Sequence, residues 1–216
     1  MPTLRGVTPV ERPASLSRSA YLRMRQAIRD RALVHGTLYS ENEIAETLGM
    51  SRTPVREALI TLAREGLVEI ASQRGFRLRE VSQTQRAEVF DLRALLEGYA
   101  AERLAGRATP EDVARLRELV ERQQDLAEDP EAFLAVDEEF HLLMPHLCGL
   151  ERTHDTLTSL RGAMWLIGSQ ALSLPQRIPA VIAEHRAIVD AIAAGDPAAA
   201  AAAAREHIAR TAAAVR

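Results

Sequence analysis

The chain has 216 residues, of which 47% are hydrophobic and 26% are charged, and this composition is typical of a globular protein and excludes a disordered chain. Its single cysteine excludes an intrachain disulfide, and no apolar stretch is long enough to span a membrane, so the sequence predicts a cytoplasmic protein. The formal charge is +4 over residues 1–80 (13 Arg against 9 acidic residues) and −7 over residues 81–216 (14 Arg against 21). A basic first part predicts a polyanionic partner for that part alone, although chance asymmetry is an open alternative.

The N-terminal third begins with an arm and two helices. Residues 1–16 are rich in proline and polar residues, which predicts a flexible arm. Apolar residues at helical spacing predict a first helix from about residue 17 to about residue 34. Ser40 and Glu43 fit a capping box that opens a short second helix, which ends at Gly49.

A third helix is expected to begin within Ser51–Pro54. Thr53 is the expected N-cap, and Pro54 suits the first helical position because its missing N–H has no helical partner there. Gly66 marks the expected end of this helix.

A hairpin follows the third helix. Apolar and polar residues alternate over residues 67–70 and 76–78, on both sides of a glycine-containing turn, which predicts two antiparallel strands. Three helices and a hairpin form a winged helix-turn-helix, which we expect over residues 17–80.

After residue 81 no further strand pattern occurs, and Ala, Leu, Arg and Glu dominate. Thr109-Pro110 and Asp129-Pro130 are each typical of an N-cap followed by a first-position proline. The predicted helices cover about residues 83–105, 110–128, 130–146, 150–172, 175–195 and 196–214. The fold class is therefore mainly α, a winged helix-turn-helix followed by an all-α bundle.

The start of the third helix carries the side chains expected to read DNA. A recognition helix enters the major groove by its N-terminal end, and arginine pairs with guanine through two hydrogen bonds. Arg52, Thr53 and Arg56 occupy these positions, while Arg74 and Arg77 flank the hairpin tip, where a wing would contact phosphate or the minor groove. Any one of these arginines taken alone is more often a solvated surface charge.

The N-terminal sequence resembles the GntR family of bacterial regulators. The resemblance covers about residues 17–80 and depends on three segments, Ser51–Leu59, Glu65–Val68 and Arg74–Phe76. It implies DNA binding as a homodimer, with one recognition helix on each half of a short palindromic operator.

The same resemblance implies roles for individual residues. Arg52 and Arg56 match the positions of the base-reading arginines of the family. Asn42, on the second helix, stands where some members carry another DNA-contacting arginine. It is therefore expected to make a polar contact with DNA, and this departure leaves the operator sequence open.

Four residues of the second part could hold a metal ion. Asp137 and His141 are four apart on one predicted helix and so share a face, while His185 and His207 lie on two later helices. A bundle can bring such residues together in its core. Three imidazoles and a carboxylate suit Zn, Ni, Co, Fe or Mn. Each histidine alone is more often a hydrogen-bonded core or surface residue.

The C-terminal part resembles the FCD domain, the helical ligand-binding bundle of the FadR-type branch of GntR regulators. Metal-binding members carry an Asp, a His four residues later and two later His, and this chain matches all four positions in order. With six predicted helices the chain is similar to the shorter VanR-like subgroup. The resemblance implies that residues 81–216 bind ligand and form the dimer, and that a divalent metal (Zn, Ni or Mn foremost) receives a small organic acid.

Two arginines are candidates for binding that acid. Arg93 is expected among apolar neighbours, and a partly buried guanidinium can bind a carboxylate through two parallel hydrogen bonds. An internal pair between Arg93 and Glu97, one helical turn apart, is an equally good interpretation. Arg161 is a weaker candidate.

The leading functional hypothesis is a transcriptional repressor that a small carboxylate metabolite releases from DNA. An activator and an architectural DNA-binding dimer without an effector are the alternatives. A metalloenzyme is disfavoured because no motif places a general base beside the metal ligands, so no enzymatic activity is predicted.

Overall fold

The protein is described from a computed structural model. It describes residues 15–30, 32–71, 74–171, 174 and 176–215, with only the backbone at positions 161 and 168–171. Contacts between Cα atoms divide the chain into two compact units at Glu80 and Val81. Of the predicted arm, residues 1–14 lie outside the described part.

The first unit contains, among its described residues, three helices and one antiparallel hairpin. These are α1 (Leu16–Arg29), α2 (Glu41–Leu48), α3 (Arg52–Arg64), β1 (Val68–Ala71) and β2 (Gly75–Leu78). Helix α1 packs against α3, and its buried stripe of Ala20, Met24 and Ile28 recurs every four residues, as helical periodicity requires. The predicted winged helix-turn-helix is confirmed.

Helix α1 ends at Arg29, earlier than the predicted end near residue 34. The backbone amides of Ala32 and Leu33 both donate to the carbonyl oxygen of Ala27, and this wide turn closes the helix. The turn places Leu33 in the core and leaves Val34 half exposed. Periodic apolar residues therefore continue past the helix without being helical.

Capping residues and a glycine define the ends of α2 and the start of α3. The Ser40–Glu43 capping box is present as predicted, and Gly49 ends α2 with a φ of 63°. The predicted N-cap of α3 was wrong, because Ser51 takes that position. Pro54 then lies two positions further into the helix than expected, where its missing N–H is still not needed because the first turn has no helical acceptors.

The hairpin pairs Val68 with Leu78 and Ala71 with Gly75. Tyr39 adds an isolated bridge to Phe76, and the two rings stack with centroids 5.7 Å apart. Gly75 has a φ of 122°, and a Cβ atom there would lie 2.0 Å from the carbonyl oxygen of Tyr39. Only glycine fits this junction between the hairpin and the segment before α2.

The second unit is all-helical in its described residues. Its helices are α4 (Gln83–Ala105), α5 (Pro110–Asp125), α6 (Pro130–Leu147), α7 (Glu151–Ser159), α8 (Arg161–Ala171), α9 (Arg177–Ala193) and α10 (Pro197–Ala214). Thr109 and Asp129 cap α5 and α6 ahead of first-turn prolines, as predicted. The predicted single helix over residues 150–172 was wrong, because α7 ends at a C-cap on Leu160 before α8 begins.

Five of these helices form a closed ring. Helix α4 packs against α10, α10 against α9, α9 against α5, α5 against α6, and α6 against α4 again. Helices α7 and α8 pack on α4 and α6 outside this ring. The ring brings α6, α9 and α10, which carry the predicted metal ligands, to one core. Among the described residues, no helix is long and apolar enough to cross a bilayer.

Candidate DNA-reading surface and buried histidine cluster

The predicted DNA contacts gather on one surface of the first unit. Asn42, Arg52, Arg56 and Arg74 line one depression between the start of α2, the start of α3 and the hairpin. Thr53 lines an adjoining depression that Arg52 and Arg56 share. The N-terminus of α3, which has no side-chain cap, lies at this surface, where its unpaired N–H groups favour phosphate.

Arg52 is loosely restrained by an acidic neighbour that the sequence analysis did not single out. Its Nη2 lies 3.9 Å from Oε2 of Glu41, and 65% of the Arg52 side chain is exposed. An exposed ion pair of this length contributes little to stability. The guanidinium can therefore exchange the carboxylate for a base or a phosphate.

The two arginines of the hairpin differ in their partners. Arg77 faces Glu69 on the opposite strand, with Nη2 2.8 Å from Oε2. Arg74 lines the depression beside Arg56. The charge of Arg77 is thus largely neutralised by its strand partner, and Arg74 is the better candidate for a phosphate contact.

The three predicted metal-binding histidines come together in the core of the second unit. His141 on α6, His185 on α9 and His207 on α10 are all buried, and one ring nitrogen from each lies within 4.8 Å of the others. Two metal–nitrogen bonds of about 2.1 Å can span about 4.2 Å. His185 and His207 lie 44 and 66 positions after His141 in sequence. The three ring nitrogens are nevertheless almost close enough to bind one metal ion together.

A side-chain oxygen lies within 2.8 Å of the Nδ1 atom of each ring. Oε2 of Glu97 lies 2.6 Å from Nδ1 of His141. The remaining contacts are those of His185 Nδ1 with Gln123 Oε1 at 2.8 Å and of His207 Nδ1 with Glu184 Oε2 at 2.7 Å. The carboxylates of Glu97 and Glu184 only accept hydrogen bonds, so Nδ1 of His141 and of His207 carries the proton and Nε2 presents a lone pair. The amide oxygen of Gln123, as placed, accepts from Nδ1 of His185 and favours the same tautomer there.

Asp137 completes an electron-rich set of atoms. Its two carboxylate oxygens lie 3.7 Å from Nε2 of His141 and 3.7 Å from Nε2 of His185. These two buried Nε2 atoms have no hydrogen-bond partner among the described residues. Lone pairs and a carboxylate that face one another without a proton repel unless a cation lies among them. The donor set therefore fits a divalent metal ion.

The carboxylates that support the rings are held ionised. Burial alone would raise the pKa of Glu97, but the charge of Arg93 and the contact with His141 lower it to about 2. Burial likewise opposes ionisation of Glu184, while hydrogen bonds from His207 and Arg177 bring its pKa to about 2. Both carboxylates remain acceptors for the imidazole N–H groups.

His185 and His207 are held neutral. Burial lowers the pKa of His185 well below its ordinary value, and protonation of a neighbouring imidazole, His207 foremost, would lower it further. Burial also lowers the pKa of His207, against the opposing hydrogen bond to Glu184. Neutral imidazole is the form that binds a metal.

A cavity adjoins the cluster. It is lined in part by Asp137, His141 and His207, and its volume is about 50 Å³, measured as space open to the centre of a water molecule. At about 10–15 Å³ per water on this measure, it holds about three to five waters. The cavity thus gives a small ligand access to the histidine cluster.

Arg93 lines this cavity and also pairs internally. Its Nε donates to Oε1 of Glu97 over 2.6 Å, so the internal pair that the spacing allowed is present. Its Nη2 is buried without a hydrogen-bond partner among the described residues. The internal pair therefore orients Arg93 and leaves one donor for a ligand. The side chain of Arg161, the second candidate, lies outside the described residues.

Several buried polar residues around the cluster were missed from the sequence. Glu97 had been considered only as a partner of Arg93, while Gln123 and Glu184 had not been considered. Arg177, which also lines the cavity, donates from both Nη atoms to Glu184 and from Nη2 to Thr211. The available signal was a polar side chain on the buried stripe of an otherwise apolar helix, as for Gln123 among Leu116, Leu119 and Val120.

The two units match two protein-family models. Residues 16–78 match the model described as bacterial regulatory proteins, gntR family, and residues 88–210 match the FCD domain. The second match alone covers more than half of the chain. Both families consist of transcriptional regulators rather than enzymes.

Curated proteins and solved structures agree with these matches. An uncharacterized HTH-type transcriptional regulator in an unstable DNA locus of Streptomyces ambofaciens is 36% identical over 193 residues, 88% of this chain and 81% of that protein. The HTH-type transcriptional repressor RspR of Escherichia coli is 28% identical over 151 residues, 69% of this chain and 66% of RspR. The structure of E. coli McbR/YncC superposes with a TM-score of 0.68 at 26% identity, covering 91% of this chain and 94% of that one.

Proposed function

The chain belongs to the GntR family of bacterial regulators and carries an FCD domain, and we propose on this premise that it is a repressor released from DNA by a small carboxylate metabolite. The protein is a DNA-binding transcriptional regulator. The repressor role, the effector and the metal are the proposed parts. The repressor role is supported by the name of RspR among the relatives. Binding to chromosomal DNA implies a cytoplasmic location.

DNA is read by the surface around the start of α3. We assign base contacts to Arg52 and Arg56, a backbone phosphate to Thr53, and a polar contact to Asn42. Arg74 binds phosphate or the minor groove from the hairpin. The clustering of four of these side chains around one depression supports this assignment.

A palindromic operator is bound by two copies of the chain. On α4 the side chains of Leu95 and Tyr99 are 66% and 43% exposed and lie one turn apart. Exposed apolar side chains on one helical face are typical of a contact between subunits. We assign this face to a second copy of the chain, and Leu95→Glu is expected to convert the dimer to a monomer in light scattering.

The metal site consists of Asp137, His141, His185 and His207. When bound, a divalent ion would supply positive charge for a ligand oxygen at the edge of the cavity. Zn, Ni and Mn suit the nitrogen and oxygen donors. The single observation that carries this proposal is the set of Nε2 lone pairs that face Asp137 inside the core.

The effector carboxylate binds between the metal and Arg93. The free Nη2 of Arg93 and the position of that residue in the cavity lining support this role. Arg161 stays a prediction for the same site. Membership of the VanR-like subgroup also stays a prediction. It was based on six predicted helices, whereas the second unit has seven among its described residues.

The test begins with the metal. Purified protein is stripped with a chelator, reloaded with Zn, Ni or Mn and analysed for bound metal beside His185→Ala and the control His154→Ala. Wild type and His154→Ala are expected to retain one ion for each chain, and His185→Ala is expected to lose it. Absence of a restorable ion from wild type would refute the metal site.

The second part concerns DNA. Operators are selected from random duplexes, and their binding to metal-loaded protein is measured by fluorescence anisotropy with and without small organic acids. Release of the operator by an acid, lost in His185→Ala, is the expected result. Tighter binding in the presence of an acid would contradict the repressor-release mechanism, and an absence of any preferred duplex would contradict sequence-specific reading.

A further inference from the structure

Two arginines from different helices line the cavity beside the histidine cluster. Arg93 lies near the middle of α4, and Arg177 is the first residue of α9. Both are buried, with 5% and 8% of the residue exposed. Nη2 of Arg93 and Nε of Arg177 have no hydrogen-bond partner among the described residues. The carboxylate proposed at the metal and Arg93 therefore satisfies only one of these two donors.

The remaining nitrogens of Arg177 are engaged inside the protein. Nη1 and Nη2 donate to the two carboxylate oxygens of Glu184 over 2.8 and 3.0 Å, and Nη2 also donates to the hydroxyl of Thr211. A bidentate pair of this kind fixes the planar guanidinium, so the direction of its Nε–H bond is fixed as well. A buried charged donor that lacks an acceptor is costly, and a ligand oxygen that accepts from it removes this cost. Arg177 is therefore preorganised to bind a ligand oxygen.

The start of α9 favours a negative charge beside Arg177. Val181, one turn after Arg177, also lines the cavity, so the first turn of the helix borders it. The residues of this turn, 177–180, include no acidic side chain, and the N-cap residue Gln176 makes no side-chain cap. The N-terminal end of a helix carries about half a positive charge. An anion at Arg177 would therefore be stabilised by the helix as well as by the guanidinium.

The lining also contains two acidic side chains, which set a condition on an anionic ligand. Asp137 and Glu138 are adjacent on α6, and both line the cavity. Without a cation these groups disfavour an anion through like-charge repulsion. A divalent ion held by Asp137 and the histidines would offset this repulsion. An anionic ligand is therefore expected to bind only to the metal-loaded protein.

We infer that Arg177 and the start of α9 form a second anion subsite of the cavity, and that the effector is a short dicarboxylate. One carboxylate binds at the metal and Arg93, and the other accepts a hydrogen bond from Nε of Arg177. This inference rests on the proposed function, because the site of the first carboxylate is taken from it. The three to five waters that the cavity holds occupy about 90–150 Å³, at about 30 Å³ for each water in the liquid. Only a few carbon atoms can therefore separate the two carboxylates.

Malonate, succinate and glutarate test the inference, each beside its monoamide. The monoamide has nearly the same size as the diacid but a neutral end, so the comparison isolates the second charge. Calorimetric titration of the metal-loaded full chain is expected to give a Kd about tenfold lower for the best-bound diacid than for its monoamide, because a hydrogen bond between two charged groups is lost. Equal or tighter binding of the monoamide at all three lengths would overturn the inference.

Two lysine variants locate the second carboxylate. Arg177→Lys retains a positive charge beside Glu184 and removes Nε. Arg210→Lys is the matched control, because Arg210 lies 3.7 Å from the same carboxylate but is exposed and does not line the cavity. Arg177→Lys is expected to reduce the preference for the diacid about tenfold, and Arg210→Lys should leave it unchanged. A preference that persists in Arg177→Lys would show that both carboxylates bind at the metal, and it would overturn the subsite.

A third variant tests the subsite without disturbing the buried ion pair. Val181→Asp places a carboxylate one turn from Arg177 and leaves the contact between Arg177 and Glu184 intact. Like-charge repulsion is expected to weaken binding of the diacid several-fold more than binding of the monoamide. Bound metal is measured in each variant before titration. Equal weakening of both ligands in metal-loaded Val181→Asp would place the second carboxylate away from α9 and contradict the inference.

The outcomes separate the inference from the proposed function. Metal-dependent binding of monoamide and diacid with the same affinity would leave the effector site standing and reject the second subsite. Failure of all six compounds to bind, or equal binding to wild type and His185→Ala, would reject the metal-linked effector site and the inference with it.

Discussion

Two arginine–glutamate ion pairs, one in each unit, differ in their exposure to solvent and therefore in how firmly the arginine is held. Arg52 and Glu41 lie 3.9 Å apart on the DNA-reading surface, and most of the arginine side chain is exposed. Arg93 and Glu97 lie 2.6 Å apart in the helical bundle, where both side chains are at least 94% buried. Water screens the first pair and leaves the arginine free to change partners. The second pair is fixed, and it orients both a guanidinium and an imidazole.

An exposed charge can be assigned to a function from a sequence motif, whereas the role of a buried charge depends on the residues that pair with it. Glu97 contacts Arg93 on its own helix and His141 on another. One carboxylate therefore serves the expected effector contact and the expected metal ligand together. An exposed arginine such as Arg52 has no comparable network.

The largest expected effect comes from breaking the buried pair. Glu97→Gln leaves the guanidinium of Arg93 buried without a counter-charge, and removal of one partner of such a pair costs about 3–5 kcal/mol. Urea unfolding is followed by the fluorescence of Trp165, the single tryptophan of the chain, which lies in the same unit. Glu139→Gln is the matched control because it breaks the exposed pair with Arg122. A loss no greater in Glu97→Gln than in this control would show that the buried pair is not structurally important.

The next effect concerns DNA reading. Arg56→Ala is expected to remove sequence preference at a cost of about 1–3 kcal/mol, or about 5- to 150-fold, for each operator half. The fold should be unchanged because Arg56 is exposed. Binding to operator and to scrambled duplex is compared by anisotropy, beside Arg64→Ala at the far end of α3. An unchanged operator preference in Arg56→Ala would place the reading contacts elsewhere.

A supporting residue distinguishes a buried metal site from a fortuitous histidine cluster. Gln123→Leu removes the acceptor of the His185 ring N–H at similar side-chain size, and loss of such a partner lowers metal affinity about 10- to 100-fold. Competition with a chelating dye measures the affinity. Gln124→Leu is the control, because the adjacent Gln124 is exposed and contacts Arg186. Identical metal affinities in the two variants would argue against the assigned role of Gln123.

The smallest effect is expected from the hairpin. Arg74→Ala should weaken binding to all duplexes alike and reduce the slope of log K against log salt by about 1, because one phosphate contact is lost. Arg77→Ala should change the slope less, since Glu69 already neutralises Arg77. A larger change in slope for Arg77→Ala than for Arg74→Ala would reverse this assignment.

Local signals predicted most of the fold. The capping box at Ser40 and the prolines after Thr109 and Asp129 act on neighbouring backbone groups, and all three were found where the sequence placed them. The break at Leu160 was missed because no proline marks it, and the glycine at position 162 lies inside a stretch that otherwise has helical periodicity.

The candidate site was only partly predictable. Asp137 and His141 share a face because of helical spacing, but their proximity to His185 and His207 depends on how the helices pack. Gln123, 62 residues before His185, had no pattern to connect the two. The sequence therefore indicated the nitrogen and oxygen donors, while the acceptors that fix the proton on each ring became apparent only in three dimensions.

The five-helix ring has a consequence for motion. Each of its helices carries a candidate metal ligand or a side chain that contacts one, with Glu97 on α4, Gln123 on α5, His141 on α6, His185 on α9 and His207 on α10. An ion bound at the centre would link all five helices of the ring, whereas α7 and α8 lie outside the ring. Removal of the ion by a chelator should therefore speed amide hydrogen exchange throughout the ring. An acid that contacts α7 and α8 should alter exchange mainly in those two helices.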